Sequence, residues 1–311
     1  MNLSRFIVWL TLPLVAVGAA FAYTMPGYAP YDGLISIDRG GLPLVPETLH
    51  VNVGAGYWGA DKGFNKDGDS KDIQTNPNFL AVPLDVGYAF DENYLADITL
   101  QILRPSYTYT DPITTEESTY NAMGLGDLWI KARGIWETGP DFWVGPRLAV
   151  KIPVGKVEFM DEKPELGDNQ TDIDVGVVAG KYGGETMFKF SGQLGFRYRL
   201  EGKAYDETAA AEVDYTPGLM IYTQLEPGIG TGSDQAFQVY VPIGYETSMT
   251  AKSDGNDVAD SETSSMYLGL YPKYELDERN AIGLKFLYPV FGTMTPQGMY
   301  FTLTYDAFIK L

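Results

Sequence analysis

The stretch Phe188-Lys-Phe-Ser-Gly-Gln-Leu-Gly-Phe-Arg-Tyr-Arg-Leu200 decides the fold. Its even positions are Phe188, Phe190, Gly192, Leu194, Phe196, Tyr198 and Leu200, and its odd positions are Lys189, Ser191, Gln193, Gly195, Arg197 and Arg199. Alternation of period two is what a β-strand produces, because successive side chains leave opposite faces of the sheet. The odd face carries Lys189, Arg197 and Arg199, which a packed core does not accept, and the run is about twice the length of an ordinary strand. Such a strand fits lipid on one side and a polar interior on the other.

The same rhythm recurs along the chain. Phe142, Val144, Pro146, Leu148, Val150 and Ile152 share one face, opposite Arg147 and Lys151, and Leu128, Ile130 and Ala132 oppose Asp127, Lys131 and Arg133. Segments of this kind lie near 48–59, 78–90, 94–104, 125–137, 141–153, 171–181, 186–200, 213–225, 235–248, 264–276, 280–290 and 298–311. Each is long enough for the roughly 9–11 residues with which a tilted strand crosses a bilayer. The connections alternate in length. Polar stretches such as Asp61–Pro77, Pro105–Gly124, Val154–Gln170, Glu201–Glu212 and Met249–Glu262 interleave with tight ones such as Asp91–Asn93, Thr138–Pro140, Tyr182–Glu185 and Asp277–Arg279. The connection Glu226–Asp234 reads as a longer turn, and Phe291–Pro296 as a short outer loop. The expected fold is therefore all-β: a transmembrane antiparallel β-barrel of about 12 strands, with short periplasmic turns and long extracellular loops. A soluble β-sandwich is the alternative, and strand length and charged second faces argue against it. Tyr57, Trp58, Tyr88, Phe90, Tyr94, Trp136, Phe142, Tyr198, Tyr222, Tyr245, Tyr288 and Tyr305 are expected in interfacial girdles.

Residues 1–22 read as a cleaved signal peptide, with Arg5, an apolar run from Phe6 and an Ala20-Phe-Ala22 site. Residues 23–47 are expected to form a periplasmic tail or a lumen plug, and 48–311 the barrel. The apolar face of the last strand, from Met299 to the terminal Leu311, resembles an assembly signal for outer-membrane proteins. That makes the barrel-assembly machinery an expected partner, beside outer-membrane lipid and lipopolysaccharide. Composition narrows the function. With 22 Lys+Arg against 41 Asp+Glu, a net charge of −19, the chain is unsuited to nucleic acid. No cysteine and one histidine, His50, remove disulfide scaffolds, thiol catalysts and most metal sites. His50 is followed by Val51 and Asn52, without the serine two positions on that a barrel phospholipase needs. No catalytic residue, metal or cofactor is expected.

If apolar faces look outward, the lumen is polar. Lys131, Arg133, Arg147, Lys151, Lys189, Arg197 and Arg199 then line one wall, with Asp172 and Asp174 between them. Two readings stand: a transverse field that selects an anionic or polar small-molecule solute, or a mutually paired ladder that fills the wall. Inward glycines, among them Gly195, Gly244 and Gly283, leave room inside or permit strand curvature. Asp-rich loops at Asp67–Asp72 and Asp254–Asp257 lack calcium-loop spacing and read as solvated.

Three runs add a resemblance: Gly124-Leu-Gly126-Asp127, Val150-Lys-Ile-Pro153-Val-Gly155, and Thr171-Asp-Ile-Asp-Val-Gly176. They resemble the outer-membrane family named for the meta-pathway of phenol degradation, with Val154 where that family carries Thr. The resemblance implies an outer-membrane barrel with a transport role, proposed for aromatic or other hydrophobic compounds. It implies a mainly structural duty for Gly124, Gly126, Asp127, Pro153 and Gly155, with Asp127, Asp172 and Asp174 accepting loop N–H groups at the rim. The expected function is a passive channel for small solutes. The alternative is a non-conducting structural or adhesion barrel acting through its acidic outer loops.

Overall fold

In a computed structural model the chain is described at residues 46–73, 75–110, 117–155, 166–167, 169–181, 187–206, 211–231, 236–277 and 279–311. The segment read as a signal peptide, and all but the last two residues of the segment read as tail or plug, lie outside the described residues. Twelve strands form one closed antiparallel barrel. They are β1 (Thr48–Gly59), β2 (Thr75–Ala89), β3 (Tyr94–Thr110), β4 (Leu128–Gly134, continued by Trp136–Gly139), β5 (Phe142–Ile152) and β6 (Asp172–Lys181). The circuit continues through β7 (Phe188–Arg199), β8 (Met220–Thr231), β9 (Phe237–Tyr240 with Ile243–Ser248), β10 (Thr263–Glu275), β11 (Asn280–Thr293) and β12 (Met299–Lys310).

Each strand pairs with its neighbour in the chain, and β12 pairs with β1 from Lys310↔Thr48 to Met299↔Gly59, which closes the cylinder. Closure leaves no strand edge and pairs the backbone within the sheet, as lipid demands. The seam is also tied by side chains. Asp306 on β12 meets His50 Nε2 at 3.2 Å and accepts the Asn52 amide at 2.8 Å.

Faces follow the alternation. On β7, Leu194, Phe196 and Tyr198 are each about half exposed to the surroundings, while Gln193, Arg197 and Arg199 are buried inside. Exposed Leu80, Ile98, Leu148, Val175, Leu270, Leu284 and Leu303 continue the apolar outer surface from strand to strand. Both termini of the barrel lie at the end with short turns.

Three expectations are corrected. The eighth strand runs from Met220 to Thr231 rather than over 213–225. Glu226-Pro-Gly looks like turn chemistry, yet Gln224, Glu226, Gly228 and Gly230 continue the inward face of β8 in register with β7 and β9. Residues 211–216 instead pair with Gly202–Asp206 as a hairpin beyond the barrel, extended by Lys252–Ser253 and Asn256–Asp257. Finally, Trp58 and Tyr222 are 2% and 4% exposed and face the lumen, not the girdle. Each falls in phase with the inward residues of its strand, and that phase outweighs its position near a strand end.

Candidate functional site

The residues that the sequence assigns to the lumen wall do meet there, and they meet as pairs. Lys131 Nζ lies 2.9 Å from Asp85 Oδ2, and Arg133 Nη2 lies 3.3 Å from Asp97 Oδ1. Lys151 pairs with Asp172 at 3.0 Å. Asp174 is held from three sides: by Arg147 Nη1 at 3.2 Å, by Arg197 Nε at 3.2 Å and by the Tyr222 hydroxyl at 2.6 Å. The Tyr222 oxygen in turn accepts from Arg147 at 2.5 Å. Arg197 also stacks its guanidinium over Trp129, 4.8 Å from the ring centroid, and reaches it from three strands away. Arg199 donates to the Gly218 carbonyl at 2.7 Å and to the Ser248 hydroxyl. Lys189 is buried on the same face of β7.

Registry sets part of the pairing. Lys151 stands directly opposite Asp172, and Asp174 opposite Arg197, whereas Arg147 stands opposite Arg133 and Lys131 reaches past Asp97 to Asp85. Buried charges need such partners, because an unpaired one loses its hydration without compensation. The wall is basic in composition and largely neutralised in pairs. Asp172 and Asp174 therefore serve the cations of the wall, and the expectation that they cap loop amides at the rim is corrected.

The polar chain crosses to the far wall. Arg147 approaches Gln193 Oε1 at 3.5 Å, Gln193 donates to Gln224 at 3.2 Å, and Gln224 donates to Glu226 at 2.7 Å. Glu226 pairs with Lys285 at 2.7 Å, whose ammonium sits 4.7 Å over the Tyr271 ring. Glu226 fell outside the cluster because Glu226–Asp234 reads as a turn, and Lys285 because its strand lies three away from β8.

Inward glycines are seats for rings. A Cβ on Gly195 would lie 2.3 Å from the Tyr222 hydroxyl, and one on Gly244 would lie 1.9 Å from the Tyr267 ring. The bare backbone lets a tyrosine on the next strand lie flat across the sheet. At these positions glycine holds a ring in place instead of leaving open room.

Two apolar layers flank the polar middle, where the sequence reading expects a polar lumen throughout. Toward the long-loop end, Trp58, Phe79, Ala81, Leu103, Tyr267, Leu287 and Tyr300 form one buried cluster, joined by Leu166 from the connection after β5. Toward the short-turn end, Ala89, Leu95, Ile135, Trp143 and Val178 form another. The signal was present in the phase of Trp58, Phe79, Leu103 and Leu287 with the polar inward residues of their strands.

Two of the three runs that carry the family resemblance converge at the rim. Asp127 Oδ1 accepts the Gly155 N–H at 3.0 Å. A Cβ on Gly155 would lie 2.5 Å from the Leu166 carbonyl, one on Gly124 2.5 Å from Leu166 Cδ1, and one on Gly126 2.7 Å from Leu103 Cδ1. Pro153 ends the β5 face two residues before Gly155. These residues fold the chain after β5 against β4 and seat Leu166 in the apolar layer.

A closed antiparallel barrel with an apolar outer surface, polar pairs inside and long connections at one end is a bacterial outer-membrane β-barrel. Solved structures share the fold. An outer membrane channel from Pseudomonas putida F1 superposes with a TM-score of 0.71 over 88% of this chain and 98% of that chain, at 13% identity. The translocator domain of the autotransporter NalP from Neisseria meningitidis gives 0.55 over 94% and 99%, at 11% identity. These are likenesses of fold. No protein-family model and no curated protein sequence matches the chain.

Proposed function

We propose that the chain is an outer-membrane channel through which small apolar and aromatic solutes pass down their concentration gradient. One observation carries this reading: the lumen presents an apolar layer at each end, aromatic-rich toward the long loops, around a charge-paired middle. Lumenal cations already matched by carboxylates exert little net pull on an anion, so Lys131, Arg133, Arg147, Lys151 and Arg197 serve mainly as the paired ladder. An uncharged solute has no such requirement, and apolar walls favour its entry. The resemblance to the meta-pathway of phenol degradation family points the same way, and the barrel shared with the Pseudomonas putida channel supports the channel part of the reading. The wider setting belongs to the same proposal: export by residues 1–22, insertion by the barrel-assembly machinery through β12, and lipopolysaccharide around the outer rim.

The test is uptake of radiolabelled toluene by cells with an intact lipopolysaccharide layer, which slows apolar solutes. Expression of the barrel is expected to raise the initial rate in proportion to the amount folded in the outer membrane. Equal rates with and without folded barrel would overturn the channel and leave the structural barrel with acidic loops.

A further inference from the structure

The apolar layer near the long loops holds a polar group whose bonding is not met. Trp58 is 2% exposed, and its Nε1 has no hydrogen-bond partner among the described residues. The indole stacks on Phe79 with centroids 5.5 Å apart and an interplanar angle of 24°. Its nitrogen lies against the bare Cα of Gly298, where a Cβ would come within 2.1 Å of Nε1. A buried donor without an acceptor is costly, and natural proteins keep few of them. Packing alone does not account for this one, since a phenylalanine supplies apolar area beside Phe79 without the stranded N–H. A solute crossing between Phe79, Ala81, Leu103, Leu287 and Tyr300 meets this donor in a setting where water does not compete for it.

We propose that Trp58 Nε1 is the specificity-determining donor of the channel. It selects apolar ring compounds that carry one acceptor oxygen, such as aryl ketones, aldehydes and phenols, over bare hydrocarbons of the same shape. The inference rests on the channel reading above and deepens it. Gly298 belongs to the device, because its missing side chain lets the nitrogen edge of the indole reach that position.

Acetophenone and ethylbenzene test it, because a carbonyl in one replaces a methylene in the other. Barrel labelled with ¹⁵N at its indoles is titrated with each probe in detergent micelles. The Trp58 resonance is assigned by elimination in Trp129→Phe, Trp136→Phe and Trp143→Phe. Acetophenone is expected to move the Trp58 N–H resonance downfield and ethylbenzene to leave it in place. In Trp58→Phe the affinity ratio of acetophenone to ethylbenzene is expected to fall about fivefold. If both probes bind and the Trp58 resonance answers them alike, or the ratio in Trp58→Phe is unchanged, the donor role is overturned while the channel stands. If the wild-type barrel binds neither probe, the channel reading falls first and takes this inference with it. Should Trp58→Phe fail to fold, the two wild-type titrations decide.

Discussion

Asp174 shows at the scale of one residue how this barrel tolerates charge inside. It is fully buried and accepts from two guanidinium groups and one phenol, so each of its oxygens is occupied by a strong donor. Removing the carboxylate charge leaves Arg147 and Arg197 facing each other across an amide. Asp174→Asn is expected to destabilise the barrel by about 3–5 kcal/mol, the usual loss when one partner of a buried pair is removed. Guanidinium unfolding followed by tryptophan fluorescence measures it, and a loss below about 1 kcal/mol, typical of exposed pairs, would place the network in water. Asp174 and its partners were visible in the sequence as alternating charges on consecutive strands. Their exact pairing was not, because Tyr222 enters from β8 across Gly195, and a ring seated on a glycine leaves no mark in composition.

At the scale of the element, the alternation assigns faces, and the assignment has energetic content. Leu194 looks outward from β7 between inward Gln193 and Gly195. Leu194→Arg is expected to cost about 2–4 kcal/mol if its position is near the midplane, the range for arginine on the lipid face of such barrels. Reversible folding into lipid vesicles checks this, and a cost near zero would reverse the faces. At the end of β5 a second contact can be tested. Asp127→Ala removes the acceptor of the Gly155 N–H. Hydrogen exchange at the Gly155 amide is expected to rise at least tenfold, with exchange in β6 to β8 unchanged. Strand existence was legible nearly throughout, since period two survives in every barrel strand. Boundaries failed where glycine and proline inside a strand imitated a turn, as in Glu226-Pro-Gly of β8. The paired segments 202–206 and 211–216 were read as polar loop plus strand, because pairing beyond the membrane needs no apolar face.

For the whole molecule, net charge and interior chemistry separate. The chain carries −19 overall, yet the barrel wall from β2 to β7 is a set of matched pairs, and much of the excess acid stands on the outer connections. The apolar layers were the part of the lumen least legible in sequence. An inward Trp58 or Phe79 has the same letter as a girdle aromatic, and only closure of β12 on β1 brings Trp58, Phe79, Tyr267 and Tyr300 around one axis. A plug placed in the lumen tests passage through it. Ala81 sits at 2% exposure within the apolar layer near the long loops, so Ala81→Trp adds a large ring on the proposed path. In cells carrying equal amounts of folded barrel in the outer membrane, Ala81→Trp is expected to lower toluene uptake to the rate of cells without it. Uptake that stays at the wild-type rate with the added ring in place would contradict passage through the lumen.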